Sequence, residues 1–138
     1  MPQSNEPKQN YHHGDLRRAL LDSAMSVIAD QGTAKLTLRE IARRAGVSHA
    51  APYRHFNNKT DFIGCVAARG FRALTAFLDQ QIAQFDNPLT QFEAICIAYV
   101  QFAATERYQF QLMFGSDIPP KGEHPVLKAA SDASNERL

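Results

Sequence analysis

In the segment TLREIARRAGVSHAAPYRHFNNKTDF, residues 37–62, helix starts and stops follow each other closely, so only short helices fit between them. Thr37-Leu-Arg-Glu40 reads as a capping box: the threonine hydroxyl accepts from the Glu40 N–H, and the glutamate side chain reaches back. Leu38, Ile41, Ala42 and Ala45 recur at helical spacing and form the face to be buried, with Arg39, Arg43 and Arg44 pointing away from it. Gly46 breaks this helix, and Ser48 is placed to cap another over 48–56. Asn57-Asn58 makes a turn, and Asn58 is placed to cap a longer helix with Asp61 in its first turn.

Two helices, 38–45 and 48–56, joined at Gly46-Val47 make a helix-turn-helix, the unit whose second helix enters a DNA major groove. The bare hairpin is not specific, because many helical hairpins read the same way. Pro52 sharpens it. With Ser48 as N-cap, Pro52 is the fourth helical residue, and its missing N–H removes only the first intrahelical bond. Pro52 and Phe56 then pack inward, leaving His49, Ala50, Tyr53 and Arg54 on the outer face. A small residue there lets the backbone approach the bases, and an alanine methyl can touch a thymine methyl. Lys59 stands at the N-terminal end of the next helix, where lysine and unpaired N–H groups can hold a phosphate.

The rest of the chain is helical in pattern. Residues 1–10 are polar with two prolines and are expected to be a disordered tail. A first helix begins at Asp15 as cap, buries Leu16, Leu20, Ala24, Val27 and Ile28, and ends at Gly32 in a left-handed conformation. A fourth runs from about Lys59 to Gln84, with Ile63, Ala67, Leu74 and Leu78 on one face. Asp86-Asn87-Pro88 opens a fifth, in which AICIAYV (94–100) is apolar all round and is expected to be buried on most sides. RYQFQLMF (107–114) is a sixth, short helix or a continuation of the fifth after a kink, residues 115–123 a loop, and a seventh helix starts near Pro125. No run alternates with period two for long enough to make a sheet, so the fold class is all-α. The last helix reaches Leu138 without a glycine cap or polar tail, which reads as a fragment of a longer chain.

Charge, cysteine and histidine usage narrow the function. Residues 1–61 hold nine Lys/Arg against six Asp/Glu, a balance of +3, whereas residues 62–138 hold six against eight, a balance of −2. The front half is the better candidate for a polyanion partner. Cys65 and Cys96 sit in apolar surroundings and read as buried small hydrophobes, with Arg69 one turn from Cys65 as the one hint of a thiol sensor. The start lacks the apolar core of a secretion signal, and the longest apolar stretch, 94–104, is too short for a membrane span. The expectation is a soluble cytoplasmic protein. Apart from the pair His12-His13, no His, Cys or carboxylate cluster has ligand spacing, so no metal or cofactor is expected. No nucleophile with a nearby base or phosphate-cradling glycine loop supports an enzyme.

The 37–62 segment strongly resembles the DNA-binding segment of the tetracycline-repressor (TetR) family, roughly T-x-R-x-I-A-x-x-A-G-V-S-x-x-x-x-Y-x-H-F-x-x-K-x-x-L. Thr37, Arg39, Ile41, Ala42, Ala45, Gly46, Val47, Ser48, Tyr53, His55, Phe56 and Lys59 match it. YHHGDLRRALLDSA (11–24) looks like the first helix of a subgroup that also carries A-P-Y-R-H-F. Phe62 stands where leucine is commoner, Ala50 where many members have glycine and Pro52 where many have leucine; the last two bear on base preference. The resemblance implies a three-helix DNA-binding domain over 11–58 and a helical effector-binding and dimerisation domain over 59–138, the latter C-terminally incomplete. It implies DNA contacts by Thr37, Arg39, Ser48, His49, Ala50, Tyr53, Arg54 and Lys59, with His49 and Ala50 at base edges, Tyr53 and Lys59 at phosphates, and His55 in a structural hydrogen bond. It also implies an effector pocket, here drawn from Phe71, Phe92, Cys96, Tyr99, Phe102, Phe110 and Met113. The function implied is a transcription regulator that binds double-stranded operator DNA. It would be a homodimer when complete and a repressor released by a small, largely apolar effector. An activator, a regulator without effector and a monomeric fragment stay open.

Overall fold

The computed structural model describes residues 13–138, with side chains from Asp15 onward; the expected tail over 1–10 and the His12-His13 pair lie outside the described side chains. Six α-helices follow one another: α1 (His13–Gln31), α2 (Leu38–Ala45), α3 (Lys59–Ile82), α4 (Pro88–Thr105), α5 (Arg107–Met113) and α6 (Pro125–Asn135). Short turns of 3-10 helix stand at Thr33–Lys35, Ala51–Arg54 and Lys121–Glu123, and no strand occurs among the described residues. The all-α class follows from the caps. Thr37 accepts the Glu40 N–H, Asn58 the Asp61 N–H, and Asn87 the N–H groups of Leu89 and Thr90 ahead of Pro88. Asp15, expected as the cap of α1, lies inside its first turn.

Gly46 ends α2 at φ 71°, ψ 30°, the left-handed region that glycine enters without a Cβ clash. Its N–H donates to Arg43 O and that of Val47 to Ala42 O, so two carbonyls at the end of α2 are satisfied while the chain reverses. Gly32 also has positive φ, 72°, but its ψ of −171° is extended rather than helical.

Two cores share α3. The first joins Leu20, Leu21, Ala24, Val27 and Ile28 of α1 to Leu38 and Ile41 of α2, Phe56, and Phe62, Ile63, Cys65 and Val66 of α3. Leu112 of α5 closes it. The second begins at Ala67 and joins Phe71, Leu74 and Leu78 to Ala98 and Phe102 of α4, Met113 of α5, and Leu127 and Ala130 of α6. The packing boundary therefore falls inside α3, between Val66 and Ala67.

The expectation that 94–100 is buried on most sides is overturned. Only Ala98 of that run is fully buried; Ile97 is 59% and Val100 66% exposed, and Cys96 faces solvent. With Leu89 and Phe92, 67% and 58% exposed, they make an apolar stripe along α4 interrupted by Glu93. Apolar composition reports that a face needs cover; it does not supply the cover.

The capping box forms by half. Instead of reaching back, the Glu40 carboxylate accepts from Arg43 Nε at 2.9 Å and Nη2 at 2.6 Å, and from Arg44 Nε at 3.2 Å. The Arg43 hydrogen bond foremost, then that of Arg44, holds the Glu40 carboxyl down at about 2 against an ordinary 4.5. Because the folded value is depressed, this contribution to stability is complete above the ordinary glutamate range and is lost as pH falls through about 2. A carboxyl-carbon NMR titration is expected to place the Glu40 midpoint near 2, and Arg43→Ala to move it up toward 4.5.

Packing makes a second prediction. Phe56, 1% exposed, meets the Phe62 ring edge-on with centroids 4.8 Å apart. Phe56→Ala is expected to cost about 3–5 kcal/mol in urea unfolding, and Val100→Ala about 0.5 kcal/mol or less.

Candidate nucleic-acid interface

The segment after Gly46 departs from the expected α-helix. A turn over 49–50 leads into the 3-10 turn Ala51–Arg54. The Ala51 N–H donates to Ser48 O at 3.1 Å, that of Tyr53 to Ala50 O at 3.2 Å, and that of His55 to Pro52 O at 3.0 Å. Pro52 explains the difference. It has no N–H to give Ser48 O, and its ring would crowd that same carbonyl in an α-helix, so the carbonyl takes the Ala51 N–H instead. Ser48 contributes its carbonyl and makes no side-chain cap. Ala51, Pro52 and Phe56 are buried, as the inward packing of Pro52 with Phe56 requires.

The outer side of this turn carries Ser48, His49, Ala50, Tyr53 and Arg54, all exposed. Tyr53, a large aromatic, is 59% exposed. Thr37 and Arg39, at the start of α2, are also exposed. Lys59 opens α3 beside the Asn58 cap; Asn58 takes the N–H groups of Asp61 and Phe62, and those of Lys59 and Thr60 keep no partner within the helix. A 24-residue helix directs the positive end of its dipole at that point.

Charge on this surface is partitioned. Arg43 and Arg44 are tied to Glu40, whereas Arg39, Arg54 and Lys59 make no ion pair among the described residues. A phosphate oxygen competes with Glu40 for the first two and with water alone for the last three. The exposed imidazole, methyl and phenol on the 3-10 turn, flanked by three available cations, form a surface that can meet both base edges and backbone.

Of the seven residues expected at an effector pocket, five are brought together at the second core and two are not. Phe71, Phe102 and Met113 are buried in the second core, with Tyr99 and Phe110 partly buried against it as an edge-on pair 5.6 Å apart. Phe92 and Cys96 lie on the solvent face of α4, which points away from that core. A cleft of about 360 Å³ lies instead between α1 and the α4–α5 corner, lined by Met25, Ile28, Arg107, Tyr108 and Gln109 among others; none of the seven lines it. The thiol hint also changes: Arg69 pairs with Asp22, and the guanidinium near Cys65 is that of Arg17, 3.4 Å from the sulfur. Burial, then the Asp61 charge, pushes the Cys65 thiol up, opposite to what a reactive thiolate needs.

A buried polar cluster escaped the sequence reading. His124, Cys65 and Asp61 each place a polar atom within 4.8 Å of the others. His124 Nδ1 accepts the Leu127 N–H at 3.1 Å, so a neutral ring carries its proton on Nε2, directed at Asp61 Oδ1 2.9 Å away. A ring in that tautomer has no lone pair to give a metal at Nε2, and the Arg17 guanidinium at the sulfur also disfavours a cation. The arrangement fits hydrogen bonding. The available signal was Gly64 in the interior of α3, since a helix-interior glycine often marks a close approach.

Comparison with known proteins agrees with this geometry. The family model for bacterial regulatory proteins of the tetR family matches residues 20–66, from within α1 through the first turns of α3. The chain is 35% identical over 102 residues to the HTH-type transcriptional repressor BepR of Brucella suis, covering 72% of this chain and 48% of that protein. It is 49% identical over 47 residues to the HTH-type transcriptional regulator BetI of Rhizobium meliloti, covering 34% of this chain and 23% of that one. A solved structure of a protein with unknown function from Rhodococcus sp. RHA1 superposes with a TM-score of 0.78 at 39% identity, over 94% of this chain and 66% of that one. The chain thus spans half or less of the length of these two curated relatives. With the helix-turn-helix in place and the family model lying across it, the chain belongs to the tetR family of bacterial regulatory proteins.

Proposed function

We propose that this chain carries the sequence-specific DNA-binding head of a transcription regulator, probing a major groove with the 3-10 turn and gripping phosphates on either side. The observation that carries the reading is the exposed set His49, Ala50, Tyr53 and Arg54 on one side of a turn whose other side, Ala51, Pro52 and Phe56, is buried. In this reading His49 and Ala50 meet base edges, Tyr53, Arg54 and Lys59 meet phosphates, and Thr37, Arg39 and Ser48 border the contact. Two heads of a homodimer would engage successive major grooves of a near-palindromic site. The apolar stripe of α4 supports protein–protein contact by the second unit, because such surface is seldom left open to water.

Regulation is proposed as repression relieved by a small, largely apolar effector bound in the second unit. The aromatic concentration there supports it: eight of nine phenylalanines follow residue 61. An effector that favours a head spacing unfit for DNA releases the operator by its difference in affinity for the two states.

Fluorescence anisotropy on duplexes enriched by in vitro selection, with scrambled duplexes as control across a salt series, tests the head. A preference of about a thousandfold that survives physiological salt is expected; equal, salt-labile binding to both contradicts sequence-specific recognition. His49→Ala is expected to change base preference, whereas Lys59→Ala weakens binding to all sequences and lowers the salt slope by about 1. If both substitutions act equally on selected and scrambled DNA, His49 does not read bases.

A further inference from the structure

We infer that His124, although it belongs to the second unit, is a positioning residue for the recognition turn. The inference rests on the DNA-binding reading of that turn. His124 precedes Pro125 at the start of α6, is 7% exposed, and caps the helix through Nδ1. Its Nε2–H donates to Asp61 Oδ1 at 2.9 Å and lies 3.3 Å from the Asp61 backbone oxygen. The other carboxylate oxygen, Oδ2, accepts the Asn57 N–H at 2.9 Å. Asn57 directly follows Phe56, whose N–H closes the recognition turn onto Pro52 O at 3.0 Å. A line of hydrogen bonds thus runs from the first turn of α6, through one imidazole and one carboxylate, to the residue that ends the recognition turn.

The surroundings are shaped to admit this ring. A Cβ on Gly64 would stand 2.7 Å from His124 Nε2 and 2.9 Å from Pro119 Cγ, too close for any side chain at that position unless the ring moves. The Cys65 sulfur flanks the ring at 3.9 Å, and Arg17, which donates to that sulfur, lies over the Phe56 ring at 5.4 Å. The rest of α6 is fastened elsewhere. Leu127 and Ala130 sit in the second core, and Ser134 donates to Phe71 O at 2.9 Å and lies 2.7 Å from the Thr75 hydroxyl. A shift of α6 against α3 therefore strains the His124–Asp61 bond, and with it the Asn57 turn. This gives the second unit a route to the DNA surface besides the continuous α3.

Two substitutions separate the link from general loosening of α6. His124→Asn keeps a side-chain oxygen for the Leu127 N–H but is too short to reach Asp61. Ser134→Ala removes hydrogen bonds between α6 and α3 and leaves the link intact. In amide exchange followed by NMR, His124→Asn is expected to speed exchange at Asn57 roughly tenfold, and Ser134→Ala to leave it unchanged. On the selected duplexes, His124→Asn is expected to weaken binding roughly tenfold and Ser134→Ala by less than about twofold. Unchanged Asn57 exchange in His124→Asn overturns the inference whatever the DNA result. So does unchanged affinity despite faster exchange, or an equal loss in Ser134→Ala. A wild-type protein that selects no duplex contradicts the DNA-binding reading instead, and the Asn57 exchange then decides by itself whether His124 holds the turn.

Discussion

The edge-on contact between Phe56 and Phe62 is the interaction on which the rest is hung. Phe56 ends the recognition turn and Phe62 lies in the first turn of α3, so their contact seats the outer surface on the helix that runs through both cores. Leu112 of α5 is buried in the same first core, with Tyr108 and Ile118 packed against it. The head is therefore completed by side chains from far along the chain, and its geometry depends on the second unit being folded.

The charge of the candidate interface is smaller than a count of its basic residues suggests. Glu40 sits among the arginines of α2 and engages two of them, which leaves Arg39, Arg54 and Lys59 spread around the exposed turn rather than a dense basic patch. A surface of this kind gains less from bulk attraction and depends more on fit, consistent with a head whose polar groups are spaced by a rigid turn.

Much of the architecture was readable because its signals are local. Thr37, Gly46, Asn58 and Asn87-Pro88 act within four residues of themselves, and each start or stop stands where the chain places it. The outward set His49, Ala50, Tyr53 and Arg54 was legible for the same reason: Pro52 and Phe56 leave it one side to occupy. The misreadings have separate causes. The expectation of a helix over 48–56 allowed for the N–H that Pro52 lacks but neglected the clash of its ring with the Ser48 carbonyl. The burial of 94–100 was inferred from composition, which does not say whether a partner is at hand. The grouping of Phe92 and Cys96 with Phe71 and Met113 ignored that the first two project from the face of α4 turned away from the core that holds Phe71 of α3 and Met113 of α5. His124 was invisible because its partner Asp61 is 63 residues away and because histidine is an uncommon helix cap.

The 3-10 form of Ala51–Arg54 makes Pro52 matter to what the turn presents outward. Three residues per turn in place of 3.6 means each step rotates the next side chain by about 20° more. Across the four steps from Ala50 to Arg54 the difference reaches roughly 80°, enough to carry a side chain from one edge of the outer face to the other. The proline is buried and touches nothing outside the protein, yet it sets the angular order in which Ala50, Tyr53 and Arg54 appear. A chain with the same outward residues and a residue other than proline at 52 would present them in a different rotational phase, so a change of target sequence in such proteins need not begin at a residue that meets the target.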